Sequence, residues 1–124
     1  MAQKAKLFHD AAMYTAILRT RSPKECKQLG RQVSNFDPST WDTVRYEVLL
    51  TAIRAKFSQN RELKQALINT GDSIIAEASP YDDIFGIKMT AEEALQVSPD
   101  QWRGQNILGR ALMDVRMELV KGFL

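Results

Sequence analysis

The chain has 124 residues, with 17 Lys and Arg against 15 Asp and Glu, a net charge of +2, and 44% apolar residues. This is the composition of a globular protein, long enough to bury a core as one domain over residues 1–124 without disulfide or metal staples. A lone Cys26 and a lone His9 exclude an internal disulfide and a His/Cys metal site, and charges interrupt every apolar segment, so a soluble, cytoplasmic protein without membrane span or signal peptide is expected.

Met1 to Phe8 is helical in propensity from its first residue and has no capping residue ahead of it, like the second half of a helix. Asp10 caps a helix that runs to about Thr20, with Ala11, Tyr14, Ile17 and Leu18 on one face. Ser22-Pro23-Lys24-Glu25 combines an N-cap Ser, Pro at the first helical position and Glu three residues on, a capping box. The helix it starts carries Cys26, Leu29 and Val33 inward, and Asn35 to Ser39 is a loop. The longest helix is expected from Thr40 or Trp41 to about Ser58, with Trp41, Val44, Val48, Leu49, Ala52 and Ile53 on its apolar side. Asn60 then caps a helix over Arg61 to Asn69 that buries Leu63 and Leu67.

Between Thr70 and Gly86 helical periodicity stops. Gly71 takes the left-handed position that closes a helix without a Cβ penalty. Ser73 to Ala78 reads as a short strand, with Ile74 and Ala76 on one face and Ile75 and Glu77 on the other. Ser79-Pro80-Tyr81-Asp82-Asp83 must turn, and Ile84 to Ile87 forms a second strand. Glu77, Asp82 and Asp83 are then expected at one end of a hairpin, close enough together to be candidates for general acid–base chemistry. The same pattern describes a solvated acidic turn whose Asp residues cap backbone. Beyond it, Thr90-Ala91-Glu92-Glu93 is a capping box for a short helix, and Ser98-Pro99 starts a further turn. Gly104-Gln105-Asn106 leads into a last helix with Leu108, Ala111, Leu112, Val115 and Leu119 as its apolar stripe. The fold class is mainly α with a small β-hairpin or sheet.

Charge is unevenly spread. Up to residue 31 the bases Lys4, Lys6, Arg19, Arg21, Lys24, Lys27 and Arg31 face only Asp10 and Glu25, whereas from Asp72 to Asp100 seven acids face Lys88 alone. A basic rim around an acidic pocket suits a phosphate-bearing ligand cleaved by carboxylates, and two unrelated solvated faces are the plain alternative.

Ser22-Pro23-Lys24-Glu25, Leu29-Gly30-Arg31, Trp41, Arg54-Ala55-Lys56-Phe57, the Glu77 to Asp82 run, Asn106-Ile107-Leu108-Gly109 and Arg116 together resemble the NADAR family, in order and spacing along essentially the whole chain. The resemblance implies a mainly helical fold with a small sheet and an N-glycosidase that uses no cofactor. Some members act on damaged early riboflavin-pathway intermediates, others release ADP-ribose from modified guanine. It implies acidic roles for Asp82 and Glu77, base stacking for Trp41 and phosphate contacts for Arg31 and Lys56. Tyr81, Phe85, Gly86 and Asn106 complete the substrate-binding set. The implied partner is a phosphoribosyl or ADP-ribosyl small molecule, with ADP-ribosylated nucleic acid as a further candidate.

The chain departs from the family pattern at three points. The family's upstream strand and Ser/Thr-Glu-His motif would precede Gln3-Lys4-Ala5, its Trp-Gly is Phe85-Gly86, and its small residue two places beyond that Gly is Lys88. Three readings follow: a glycosidase in which Glu77 or Asp82 replaces the Glu of that motif or a native chain longer than this sequence supplies it, a binder of ADP-ribose or a related nucleotide that does not cleave it, and a truncated helical domain whose exposed apolar edge serves an oligomer or partner.

Overall fold

A computed structural model describes every residue from Met1 to Leu124. Its elements are helices α1 (Ala2–Leu7), α2 (Ala11–Arg19), α3 (Pro23–Arg31), α4 (Pro38–Gln59), α5 (Arg61–Asn69), α6 (Ala91–Leu95), a 3-10 turn (Pro99–Gln101) and α7 (Ile107–Val120). They form two compact units, Met1–Arg45 and Tyr46–Leu124, each with its own apolar cluster. No helix is long and apolar enough to cross a membrane.

In the first unit Ala5, Phe8, Ile17 and Val33 are buried together, with Tyr14, Cys26, Leu29 and Trp41 packed against them. Of the α2 face expected inside, Ile17 is buried, whereas Leu18 is 61% exposed. Asp10 caps α2 as expected, Oδ1 accepting from the Met13 N–H at 3.0 Å, and its Oδ2 also accepts from the Ser34 N–H at 2.9 Å. The Ser34 bond first and the Met13 bond second hold the Asp10 carboxyl below the ordinary carboxylate value. A carboxyl depressed in the folded state contributes stability above its unfolded pKa of about 3.9, and that contribution is lost as pH falls through the folded value. Asp10→Asn is therefore expected to flatten the fall of Tm below about pH 4 in a thermal-melt series.

At α3, Ser22 Oγ accepts from the Glu25 N–H at 3.2 Å with Pro23 in the first turn. The capping box is only half formed, because the Glu25 carboxylate accepts instead from the Thr20 hydroxyl at 2.8 Å. The helix α4 begins at Pro38, ahead of the expected Thr40. Asp37 explains the difference: its carboxylate accepts from the Ser39 N–H and the Thr40 hydroxyl, so Pro38 enters at the helix start where it has no donor to lose.

In the second unit Leu50, Ile53, Leu67, Ala111, Val115 and Leu119 make the core, from α4, α5 and α7. Arg54 on α4 grips Glu118 on α7 with two bonds of 2.9 and 2.8 Å. Asn60 precedes α5, but its amide donates to the Lys56 carbonyl at 2.6 Å and closes α4 instead of capping α5. Leu63, expected inside, is 39% exposed, while Leu67 is buried. Gly71 has φ +62°, the left-handed close of α5 that its sequence position required.

The expected β-hairpin does not form, and no residue is in a strand. Ser73 to Ala78 keeps the anticipated alternation, Ile75 and Glu77 half-buried and Ile74 and Ala76 exposed. The carbonyls that would have built its ladder are committed elsewhere. Those of Ile84 and Phe85 accept from the Ile107 and Leu108 N–H groups at 3.1 Å each, and that of Gly86 from the Asn106 N–H at 3.0 Å. The first N–H groups of a helix have no partner within it, so the acidic loop serves as a backbone cap for α7.

Candidate acidic-loop site

Asp82 organises the turn. Its Oδ1 accepts from the Ile84 N–H at 3.0 Å and from the Phe85 N–H at 2.9 Å, the back-bonding that favours Asp in turns. Lys88 N–H returns to the Asp82 carbonyl at 3.2 Å and Ile87 N–H to the Glu77 carbonyl at 3.0 Å. The chain therefore brings Glu77, Asp82 and Gly86 into one closed loop. A Cβ at Gly86 would stand 2.9 Å from the Asp82 carbonyl oxygen and 3.1 Å from that of Glu77. Glycine permits that convergence.

Glu77 is held through its backbone. Its N–H donates to Asn106 Oδ1 at 3.0 Å, and its carbonyl accepts from the N–H groups of Ser79 and Ile87. Both Glu77 and Asp82 are half-buried. Phe85 is half-buried, Gly86 is buried, and Tyr81 stands 95% exposed in solvent. Lys56 is exposed on α4 with its ammonium 5.5 Å from the Phe57 ring. Trp41 and Arg31 belong to the first unit, Trp41 half-buried against the core and Arg31 exposed on the last turn of α3.

Asn106 is 7% exposed and adopts φ +53°. Its amide nitrogen donates to the Ile75 carbonyl at 2.9 Å while Oδ1 takes the Glu77 N–H, so one side chain satisfies two backbone groups of the extended segment. Gly104 and Gly109 complete the framework. A Cβ at Gly104 would lie 2.1 Å from the Gly86 carbonyl oxygen, and one at Gly109 would lie 2.2 Å from that of Ile75. Lys88, standing where the resembled family has a small residue, is exposed and has φ +54°, a region that L side chains enter at a cost and glycine enters freely.

Two further groups shape this unit: Arg116, which the sequence offered only among the residues of the resemblance, and a pair that sequence reasoning missed. Arg116 Nη1 donates to the Thr70 hydroxyl at 2.8 Å and the Ser73 carbonyl at 2.9 Å, anchoring the start of the loop. The Tyr46 hydroxyl donates to Asp114 while Arg110 covers its ring at 5.2 Å. Burial first, then the bond to Asp114, push the Tyr46 hydroxyl up to about 12. The Tyr46 and Asp114 partners lie 68 positions apart, and no local spacing announces such a pair. No group of three or more His, Cys, Asp or Glu side chains is placed to hold a metal ion.

Comparison with known proteins adds the lineage. The NADAR domain model matches residues 1–120. N-glycosidase R617 of Acanthamoeba polyphaga mimivirus is 42% identical over 118 residues, covering 95% of this chain and 69% of that protein. Protein irg-1 of Caenorhabditis elegans is 35% identical over 121 residues, 96% of this chain and 57% of that protein. Riboflavin biosynthesis protein VVA0006 of Vibrio vulnificus is 31% identical over 116 residues, 94% of this chain and 29% of that protein. The chain thus spans between 29% and 69% of the length of these relatives.

Proposed function

The chain belongs to the NADAR family, and from that premise we infer that it is an N-glycosidase that cleaves an N-ribosyl bond at the acidic loop. The observation that carries this reading is the fixed loop itself. The hydrogen bonds of Glu77 are all made by its backbone, which leaves the carboxylate of this half-buried residue uncommitted for chemistry. Cleavage of an N-ribosyl bond develops positive charge on the sugar, so a carboxylate beside the anomeric carbon stabilises it or activates the attacking water. Glu77 takes that role. Asp82 supports it, because its Oδ1 is already spent on the Ile84 and Phe85 N–H groups. The half-buried Phe85 ring offers a face for the departing base. The relatives' names, N-glycosidase and riboflavin biosynthesis protein, support cleavage of an N-glycosyl bond and the early ribosylaminopyrimidines of riboflavin synthesis as one substrate class; ADP-ribosyl-guanine is a second class, which the family resemblance alone implies. A chain with one unpaired cysteine suits the cytoplasm as the place of this work.

Mass spectrometry of products released from both substrate classes tests this. Glu77→Gln is expected to lower the rate by about 100- to 10,000-fold. Asp82→Asn is expected to lower it less, because an amide oxygen still accepts both backbone bonds of the turn. No release by a folded wild-type protein would overturn the catalytic reading. The engagement of Asp82 by backbone favours a second reading, a nucleotide binder without turnover, and a rise of Tm with ADP-ribose but no release would establish it.

A further inference from the structure

The geometry points to a nucleic-acid phosphate-backbone surface on the outer face of α3, which no step of the inferred hydrolysis uses. The first unit carries eight basic side chains against four acidic, a net charge of +4, while the second carries nine against eleven, a net charge of −2. Within the first unit the excess is ordered. Lys24, Lys27 and Arg31 recur at i, i+3 and i+7 and therefore share one face of α3, and all three are exposed. Cys26 and Leu29 pack inward and Gly30 is buried, so the opposite face is spent on the core. The three cations span about 10 Å along the helix axis, the length of about three nucleotide steps of one strand. Arg19 and Arg21 extend the exposed positive surface ahead of the helix.

None of these charges is neutralised within the chain. Its ion pairs are Arg45–Asp42, Arg54–Glu118 and Arg103–Glu93, and Glu25, the one acid on α3, accepts from the Thr20 hydroxyl. At the far end of the stripe Lys4 donates to the Gly30 carbonyl at 2.7 Å. Burial first, and the charge of Arg31 second, hold its ammonium below the ordinary lysine value. A row of unpaired cations at this spacing fits a polymer of phosphates, which gains affinity by releasing condensed counterions. An anionic lipid surface fits it less well, because an interfacial helix needs a free apolar face and that of α3 is buried.

The test is fluorescence anisotropy with an unmodified single-stranded DNA of about 16 nucleotides, which carries no ADP-ribosyl group and only deoxyribosyl linkages. The wild-type chain is expected to bind at 50 mM salt and to weaken steeply by about 200 mM. Lys24→Gln with Lys27→Gln is expected to lower affinity roughly tenfold at low salt and to reduce the log–log salt slope by about 1.4. Both residues are exposed and Gln matches Lys in helix propensity, so the fold is retained, and Arg31 stays in place. Arg61→Gln with Lys121→Gln, exposed cations of the second unit, is expected to leave binding unchanged. Absence of wild-type binding at 50 mM salt would overturn the assignment. So would equal losses in the two double variants, or tighter binding to phosphatidylserine–phosphatidylcholine vesicles than to the oligonucleotide. Each outcome stands apart from product release, so the two readings fail separately.

Discussion

Asn106→Ala is expected to cost about 2–4 kcal/mol of stability and to lower Tm by roughly 10 °C, measured by thermal unfolding. The side chain donates to the Ile75 carbonyl and accepts from the Glu77 N–H in a site that is 7% exposed. Truncation leaves both part-buried backbone groups without this partner, and each such loss carries about 1–3 kcal/mol, the lower half of that range applying to groups that water can partly reach. Alanine also inherits φ +53°, a conformation that costs an L residue about 1–2 kcal/mol. Asn106→Gly separates the two contributions, since glycine relieves the backbone cost but restores neither bond. A glycine variant as unstable as the alanine variant would assign the whole effect to the hydrogen bonds. A Tm unchanged in both would show that the loop holds together without Asn106. Because the bond to Glu77 also positions the inferred reacting carboxylate, product release should fall even where the protein remains folded.

Gly104→Ala is expected to destabilise the second unit by about 3 kcal/mol or more, at the upper end of overpacking costs. The added methyl would sit 2.1 Å from the Gly86 carbonyl oxygen and 2.8 Å from the Ile87 carbonyl carbon, and both are backbone atoms that no rotamer change can move aside. The displaced segment is the one whose Gly86 and Ile87 carbonyls accept from Asn106, Arg103 and Gly104. The strain would therefore open the acidic loop and the start of α7 together. Gly71→Ala is the contrasting control. It has φ +62° and nothing within 4 Å of the added carbon, so only the backbone cost of about 1 kcal/mol applies. Equal destabilisation by the two substitutions, read by chemical denaturation, would refute the close-approach account of Gly104.

Helix starts were legible because their chemistry is local. Asp10, Ser22 and Thr90 each accept from an N–H three residues on, and the Thr90–Glu93 box is fully formed. Helix α4 was harder to read because its residues serve two cores: Trp41 packs in one cluster, while Leu50 and Ile53 are buried in the other. No single apolar stripe runs along such a helix.

The hairpin shows where local reading ends. Alternation in Ser73 to Ala78 correctly separated half-buried from exposed residues, because an extended chain alternates its faces whether or not a neighbour pairs with it. Pairing itself is a long-range choice, and here the carbonyls of residues 83–87 bond to N–H groups of residues 103–108. The resemblance drew Glu77, Asp82, Gly86 and Asn106 into one candidate site, and family membership rests on the match of the NADAR domain model over residues 1–120. Tertiary structure alone decided how they bond: Asn106 to the Ile75 and Glu77 backbone, and Asp82 Oδ1 to the N–H groups of the turn. Caps and turns are decided by neighbours a few residues away and can be read along the chain. The pairings of Asn106 with Ile75, Arg54 with Glu118 and Tyr46 with Asp114 bridge 31 to 68 positions, and only the folded backbone brings such groups within hydrogen-bond reach.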